Sequence, residues 1–364
     1  MRYSQFLALG SAAAIAVGVA ACGSSSNDSS TTGGSSSSSA ALSGAGSTFQ
    51  APLVSEWASR FKDSSGTTVN YQPVGSGAGI AQLTAGTVDF AGSDAVMKPE
   101  EVAAGRDKGV PVHLPIALGA VTVSYNLDGV RAGLRLDGPT IADIFLDRVT
   151  KWNDQEIASL NAGVDLPDTD ITVCHRSDES GTTANFTQFL ADYSRAWADG
   201  PGVDKSVQWP VGTGARGNDG VAGCVKQTPG SVGYVEQAYA LQNDFTTAAV
   251  KNRDGQWVAP TLDATSAAGE GAKPPASLEF STINAAGARS YPITAVTFQI
   301  VWQDACKAGI SEDTATSLKA WLTYILGEGQ SVAPELEYAP LPTSIQSRAQ
   351  ARVDALTCNG SPIA

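Results

Sequence analysis

The sequence predicts an α/β protein of two domains, and three observations point to it. The chain has 364 residues, more than one hydrophobic core comfortably serves. Short apolar runs that suit buried strands alternate with stretches of helical spacing along most of its length. Hydrophobic residues make up 42% of the chain and charged residues only 16%, a globular rather than disordered composition.

The N-terminus is a targeting segment and not part of that fold. Arg2 supplies a short basic region, and the apolar run Phe6 to Ala21 is too short for a comfortable membrane span but suits a signal peptide. It ends in Val19-Ala20-Ala21-Cys22, which resembles a bacterial lipobox: residues 1–21 are removed and Cys22 is acylated as the new N-terminus. The competing reading is an ordinary signal peptide with Cys22 a free thiol. Arg2 stands alone, which argues against the twin-arginine route. Gly23 to Ser39 is almost entirely Ser, Gly, Thr, Asn and Asp, so residues 22–41 read as the lipidated cysteine and a flexible tether.

Beyond the tether, strands are expected at Val110–Leu118, Val121–Tyr125, Ile171–Cys174 and Ile293–Phe298. Helical spacing marks Pro52–Phe61, with Val54, Trp57 and Phe61 on one stripe. Gly79–Ala85 reads as a helix after a Gly/Ser turn, and Thr140–Phe145 as one starting at Thr140. Thr182–Trp197 is the strongest helical pattern, with Phe186, Phe189, Leu190 and Tyr193 in register. Gly217–Val225 and Thr314–Leu326 complete the helices. Residues 261–281, rich in Ala, Gly, Pro and Ser, read as a surface excursion.

The formal net charge of −13 argues against nucleic acid and against loose attraction to anionic lipid. It leaves a small anion open, because local dipoles and one buried cation can hold it. Five cysteines are present. With Cys22 assigned to lipid, Cys174, Cys224, Cys306 and Cys358 allow three pairings. Cys174–Cys224 and Cys306–Cys358 are favoured because each pair is expected to lie within one domain. There is no CxxC spacing and only His113 and His175, so neither a structural metal nor a cofactor is expected.

Three Gly/Ser/Thr clusters each precede a helical pattern: Gly44 to Phe49, Gly75 to Gly79, and Ser180 to Thr183. A helix start offers unpaired N–H groups and a positive dipole end, and hydroxyls add donors. One such cluster is an ordinary cap; three in one acidic exported chain look like donors converging on an oxyanion. Arg176 and Asp178 lie just upstream of the third cluster, at the carboxyl end of a predicted strand, where α/β folds bind ligands. A guanidinium fits a tetrahedral oxyanion with two hydrogen bonds, and Asp178 can orient that fork. Asp94 is the opposite case. A carboxylate in an anion site repels unless the anion donates a proton, so it would favour phosphate and reject sulfate. Taken alone, Asp94 reads as a turn residue.

At these residues the chain resembles the periplasmic phosphate-binding proteins of high-affinity phosphate ABC importers. The matching stretches are GAGSTFQAP (44–52), VNYQPVGSGAGIAQL (69–83), VDFAGSDAVM (88–97), DIFLDRVTKWND (143–154), RSDESGTTANF (176–186), VGTGARGNDGVAGCV (211–225), GSVGYVEQAYA (230–240) and YAPLP (338–342). The resemblance implies a two-lobed, type II-like periplasmic-binding-protein fold with a ligand cleft between hinged lobes. These would be residues 42–122 plus 291–364, and residues 123–290. By motif match, the phosphate contacts would be the Thr48 hydroxyl, the Phe49 N–H, Ser76, Asp94, Arg176, Ser180, Gly181 and Thr182, with Asp178 buttressing Arg176. Ser47 and Gly77 fall where the family varies and are left out. The implied partners are inorganic phosphate and a membrane permease with its ATPase; the implied place is outside the cytoplasm, on a lipid anchor, as a monomer.

The main rival is a hydrolase built on Ser180, Asp178 and a histidine. It has no recognisable triad order, no GxSxG and no metal cluster, so no catalysis is expected. A binder of a different oxyanion is a second rival. Asp94 argues against sulfate and molybdate, though not against arsenate. A purely structural envelope lipoprotein is a third, and such a protein needs no converging donors.

Overall fold

The computed structural model describes residues 41–130 and 133–364, all within one unit, Ser39–Ala364. The signal peptide, Cys22 and the tether up to residue 40 lie outside the described residues. The largest sheet has nine strands: β1 Leu42–Gly46, β2 Val69–Pro73, β3 Phe90–Ser93, β4 Pro111–Asn126, β5 Thr172–Arg176, β6 Thr213–Ala215, β7 Ser231–Glu236, β8 Thr246–Thr247 and β9 Thr294–Trp302. Their order is β2-β1-β3-β9-β4-β7-β5-β6, with β8 beside β4. The strands at either end pair in parallel, as crossover helices require. The central pairs are antiparallel.

The long strand β4 joins the two halves. Its residues 111–120 pair with β9, and from Val121 onward it pairs with β7. The two apolar runs expected here are thus one continuous strand. Gly119, between them, does not break it. A Cβ there would stand 2.6 Å from the Phe49 ring, so glycine clears space for a side chain from the first cluster.

Four helices carry the site: α1 Ala51–Ser65, α2 Ser76–Ala85, α3 Gly181–Tyr193 and α4 Gly217–Gln227. α1 buries the expected Val54, Trp57 and Phe61. α2 starts three residues before the expected Gly79, because the turn is completed by Gly75 alone, at φ 99°. The pattern expected over Thr182–Trp197 is two helices. Ser194 is extended, and its hydroxyl caps a second short helix, Arg195–Asp199. Asp137, not Thr140, caps the helix Gly138–Phe145.

The region 261–281 is a surface excursion only in its second half, where residues 271–277 form no helix or strand and none is buried. Its first half contains the helix Leu262–Glu270, capped by Thr261, with Ala264, Thr265, Ala268 and Gly269 buried. Small residues suit a helix lying close against β4 as well as they suit a loop, and composition does not separate the two. Disulfides join Cys174 to Cys224 and Cys306 to Cys358. Among the described residues no helix is long and apolar enough to cross a membrane.

Candidate functional site

All three Gly/Ser/Thr clusters meet between the two halves of the sheet. Ser76 opens α2, and Asp94 follows β3; both belong to the β1–β3 side. Arg176 ends β5, and Ser180 caps α3; both belong to the β5–β7 side. The Gly181 N–H donates to Ser76 Oγ at 3.1 Å, across the boundary. The Asn185 side-chain amide donates to the Asp94 carbonyl at 2.6 Å. Thr48 is reached from the far side too: the Asn218 amide side chain donates to its hydroxyl at 2.9 Å and the Asn218 N–H at 3.1 Å.

Arg176 is the cation of this cluster, and its side chain is 1% exposed. Its Nε and Nη2 donate to the two Asp178 oxygens at 2.7 and 2.6 Å. That bidentate fork fixes the plane of the guanidinium. Nη1 points to the Thr182 hydroxyl at 3.5 Å. Burial by itself would raise the Asp178 carboxyl, but the arginine outweighs it and holds the group below its ordinary range. The Gly217 N–H, at the start of α4, adds a further bond to Asp178 at 3.2 Å.

Asp94 is 3% exposed. Oδ2 accepts from the Ser47 hydroxyl at 2.5 Å and Oδ1 from the Thr297 hydroxyl at 2.7 Å. Thr297 stands at a bulge in the β4–β9 pairing, and its hydroxyl is held in turn by the Gln50 side-chain amide at 2.8 Å. Burial pushes the Asp94 carboxyl up to about 6, while Ser47, Thr297 and the Arg176 charge pull the other way. The group is therefore mostly ionised at neutral pH, despite its burial.

The remaining expected residues are placed as follows. Ser180 Oγ accepts from the Thr183 N–H at 3.1 Å, which makes it the helix cap. The Phe49 N–H donates to Ser47 Oγ at 3.0 Å. The Thr182 hydroxyl lies between Arg176 and the Asn218 amide, 3.3 Å from the latter. His175 stacks on Trp209, facing away from this cluster. His113 is bonded to Met97 and paired with Glu279, so neither histidine addresses Ser180. Among the described residues no group of acidic, His or Cys side chains is placed to hold a metal ion.

A family model for the PBP superfamily domain matches residues 29–328. The phosphate-binding protein PstS of Xylella fastidiosa is 42% identical over 313 residues, 85% of this chain and 84% of that protein. The chain belongs to the phosphate-binding protein family. PstS of Pasteurella multocida is 39% identical over 85% of this chain and 89% of its own length. The fold matches a high-affinity periplasmic phosphate-binding protein solved with phosphate bound, at a TM-score of 0.71 and 20% identity, over 88% of this chain and 96% of that one. The architecture is accordingly the two-lobed periplasmic-binding-protein fold.

Sequence reasoning missed three residues in this family member. Ser47, set aside as variable, is bonded to Asp94. Asn218 joins Thr48 to Thr182. Thr297 holds the second Asp94 oxygen. Asn218 had a readable signal: it follows a glycine at a helix start, as Ser76 and Thr182 do. Thr297 had none, since a buried threonine in a strand is ordinary.

Proposed function

We propose that the chain captures inorganic phosphate outside the cytoplasm and delivers it to an ABC permease and its ATPase. The observation that carries this is Asp94, a buried carboxylate set among oxyanion donors and facing a buried arginine. Such a group is repulsive to an anion unless the anion brings a proton. Phosphate near neutral pH brings one and sulfate does not, so Asp94 accepts from the first and rejects the second. The names of the curated relatives support the same ligand.

In this reading Arg176 and the donors from Thr48, Phe49, Ser76, Ser180, Gly181 and Thr182 supply the affinity. Ser47 and Thr297 hold Asp94 in its ionised form. The first lobe is residues 42–122 with 291–364 and the second 123–290, divided close to where β4 changes partner. Phosphate enters between separated lobes, exchanges its hydration for fixed donors, and the lobes close without covalent chemistry. The ion pairs Lys98–Asp204 and Lys205–Glu101, both at 2.5 Å, join the two sides at the rim. The lipobox supports a chain tethered through Cys22, and one copy supplying both walls of the cleft supports a monomer.

A calorimetric titration of the purified protein with phosphate, repeated in excess sulfate, tests the proposal. Tight phosphate binding that sulfate does not displace is expected. Equal affinity for sulfate would overturn the role given to Asp94, and turnover of a phosphate ester would overturn the non-catalytic reading.

A further inference from the structure

Glu236 ends β7 opposite Val121, the first β4 residue to pair with β7. The residue before it, Ala120, still pairs with Thr294 of β9. Glu236 therefore sits where the two halves of the sheet join. It is fully buried, and none of its hydrogen bonds comes from a lysine, arginine or histidine among the described residues. Oε2 lies 2.9 Å from the Ala238 N–H and 2.9 Å from the Tyr338 hydroxyl. Oε1 is buried and makes no hydrogen bond among the described residues.

The protons at Tyr338 do not balance if Glu236 is ionised. The Tyr338 hydroxyl also lies 2.6 Å from the Phe49 carbonyl oxygen. A tyrosine has one proton to donate, and a carbonyl and a carboxylate can only accept. One of the two contacts would then set oxygen against oxygen with nothing between them. If Glu236 carries a proton on Oε2, both contacts are bonds. Glu236 donates to the tyrosine oxygen, and the tyrosine donates to Phe49. The bare Oε1 is then a neutral carbonyl oxygen, far cheaper to leave unpaired in the interior than half of a carboxylate.

We propose that Glu236 is a protonated acid at neutral pH, and that its proton, donated to Tyr338, holds the Thr48–Phe49 loop in its binding geometry. Glu236 reaches that loop by two routes. One runs through Tyr338 to the Phe49 carbonyl. The other runs from its own N–H to Asn218 Oδ1 at 3.0 Å, and from Asn218 to the Thr48 hydroxyl. The titratable groups that face it are Tyr338, Tyr239 from the helix after β7 and Asp94 from the turn after β3; Asp219 and Arg176 stand behind Tyr239. Burial raises the carboxyl well above its ordinary range, the Ala238 N–H, the Tyr338 hydroxyl and, more weakly, the Gln237 N–H oppose this, and the Asp94 charge adds to the rise. Glu236 is thus a positioning residue that touches no ligand. The proton stands whatever the cleft holds; the positioning role rests on the phosphate reading.

Infrared spectroscopy of protein labelled with carbon-13 at its glutamate carboxyls tests the proton. The spectrum is taken without phosphate at pH 8, where ordinary glutamates are ionised and the unlabelled Asp94 does not interfere. A protonated-carboxyl band is expected. It should vanish in Glu236→Gln and move in Tyr338→Phe. Absence of the band in the wild-type protein, or its persistence in Glu236→Gln, would overturn the inference, and the wild-type measurement needs no variant to fold. Phosphate titration tests the positioning. Glu236→Gln, which keeps a donor to Tyr338, should bind within about three-fold of wild type, while Glu236→Ala should lose about ten-fold. Equal affinities for the two variants would remove the positioning role. A wild-type chain that shows the band but binds no phosphate would fail the functional reading alone.

Discussion

Replacing Gly181 with alanine tests how closely the two lobes meet at the cleft. Gly181 is the first residue of α3, and its φ lies outside the left-handed region. Alanine is therefore acceptable to the backbone and favours the helix by up to about 1 kcal/mol. The substitution also keeps the N–H that reaches Ser76. What changes is one Cβ, which would stand 2.6 Å from Ser76 Oγ, 2.7 Å from Asp94 Oδ2 and 2.8 Å from Asp94 Cβ. Non-bonded carbon contacts are optimal at about 3.5–4.0 Å, so the obstruction approaches 1 Å (about the difference from that range). Ser47 and Thr297 hold Asp94 from both oxygens, so it does not yield. The clash is relieved by separating the lobes. Overpacking of this kind costs about 1–3 kcal/mol, which lowers phosphate affinity roughly ten- to hundred-fold. Calorimetric titration reads the affinity, and thermal unfolding without phosphate checks that the fold survives. Affinity within about two-fold of wild type would refute the argument, because it would show that Gly181 need not meet Ser76 and Asp94 in the bound form.

Four further outcomes are expected. Arg176→Ala removes the buried cation and leaves Asp178 buried without its fork, so phosphate affinity should fall at least about a hundred-fold; an unchanged titration would take Arg176 out of the site. Asp94→Asn should narrow the preference for phosphate over sulfate in a competition titration, and an unaltered preference would refute the proton-acceptor role. Without ligand, Asp94 is raised from an ordinary 3.8 to about 6, so the folded state holds a proton that the unfolded chain releases. Its contribution, about 3 kcal/mol, is fully present below pH ~4 and lost as pH rises through ~6. Chemical denaturation across that window should show a steeper fall in wild type than in Asp94→Asn, where only the other raised carboxyl, Glu236, still contributes. Removing the disulfide Cys306–Cys358, which closes a separation of 52 residues, should lower stability by up to about 4 kcal/mol. Phosphate affinity should be unchanged, since neither cysteine touches the cleft.

Much of the fold was legible because its causes are local. Val54, Trp57 and Phe61 share a helical stripe whatever surrounds them, and all three are buried as the spacing requires. The strands near 172 and 294 follow from apolar runs. The misreadings came where two causes leave the same local mark. Gly119 and Ala120 read as a break between strands, whereas the glycine is there for the ring of Phe49. The Ala-, Gly-, Pro- and Ser-rich stretch 261–281 reads as a surface excursion, whereas its first part, Leu262–Glu270, is a helix of small residues lying close to β4. Ser194 left the stripe of apolar residues unbroken, and only its hydroxyl on Trp197 shows that the helix stops and restarts.

The site divides in the same way. Residue types and their order identify which groups carry donors and charge: the hydroxyls and N–H groups of the three clusters, Arg176 with its neighbouring Asp178, and the anomalous Asp94. Side-chain chemistry and short-range spacing suffice for that, since Arg176 and Asp178 are two residues apart. How those groups are tuned depends on the folded arrangement. Thr297 is 203 residues from Asp94, and Asn218 is 170 from Thr48. The pairing of Tyr338 with Glu236 spans 102 residues. Burial and long-range hydrogen bonds set the protonation of Asp94 and Glu236, and both arise only when distant segments pack. The chain names an anion site; the packing sets which of its acids hold a proton.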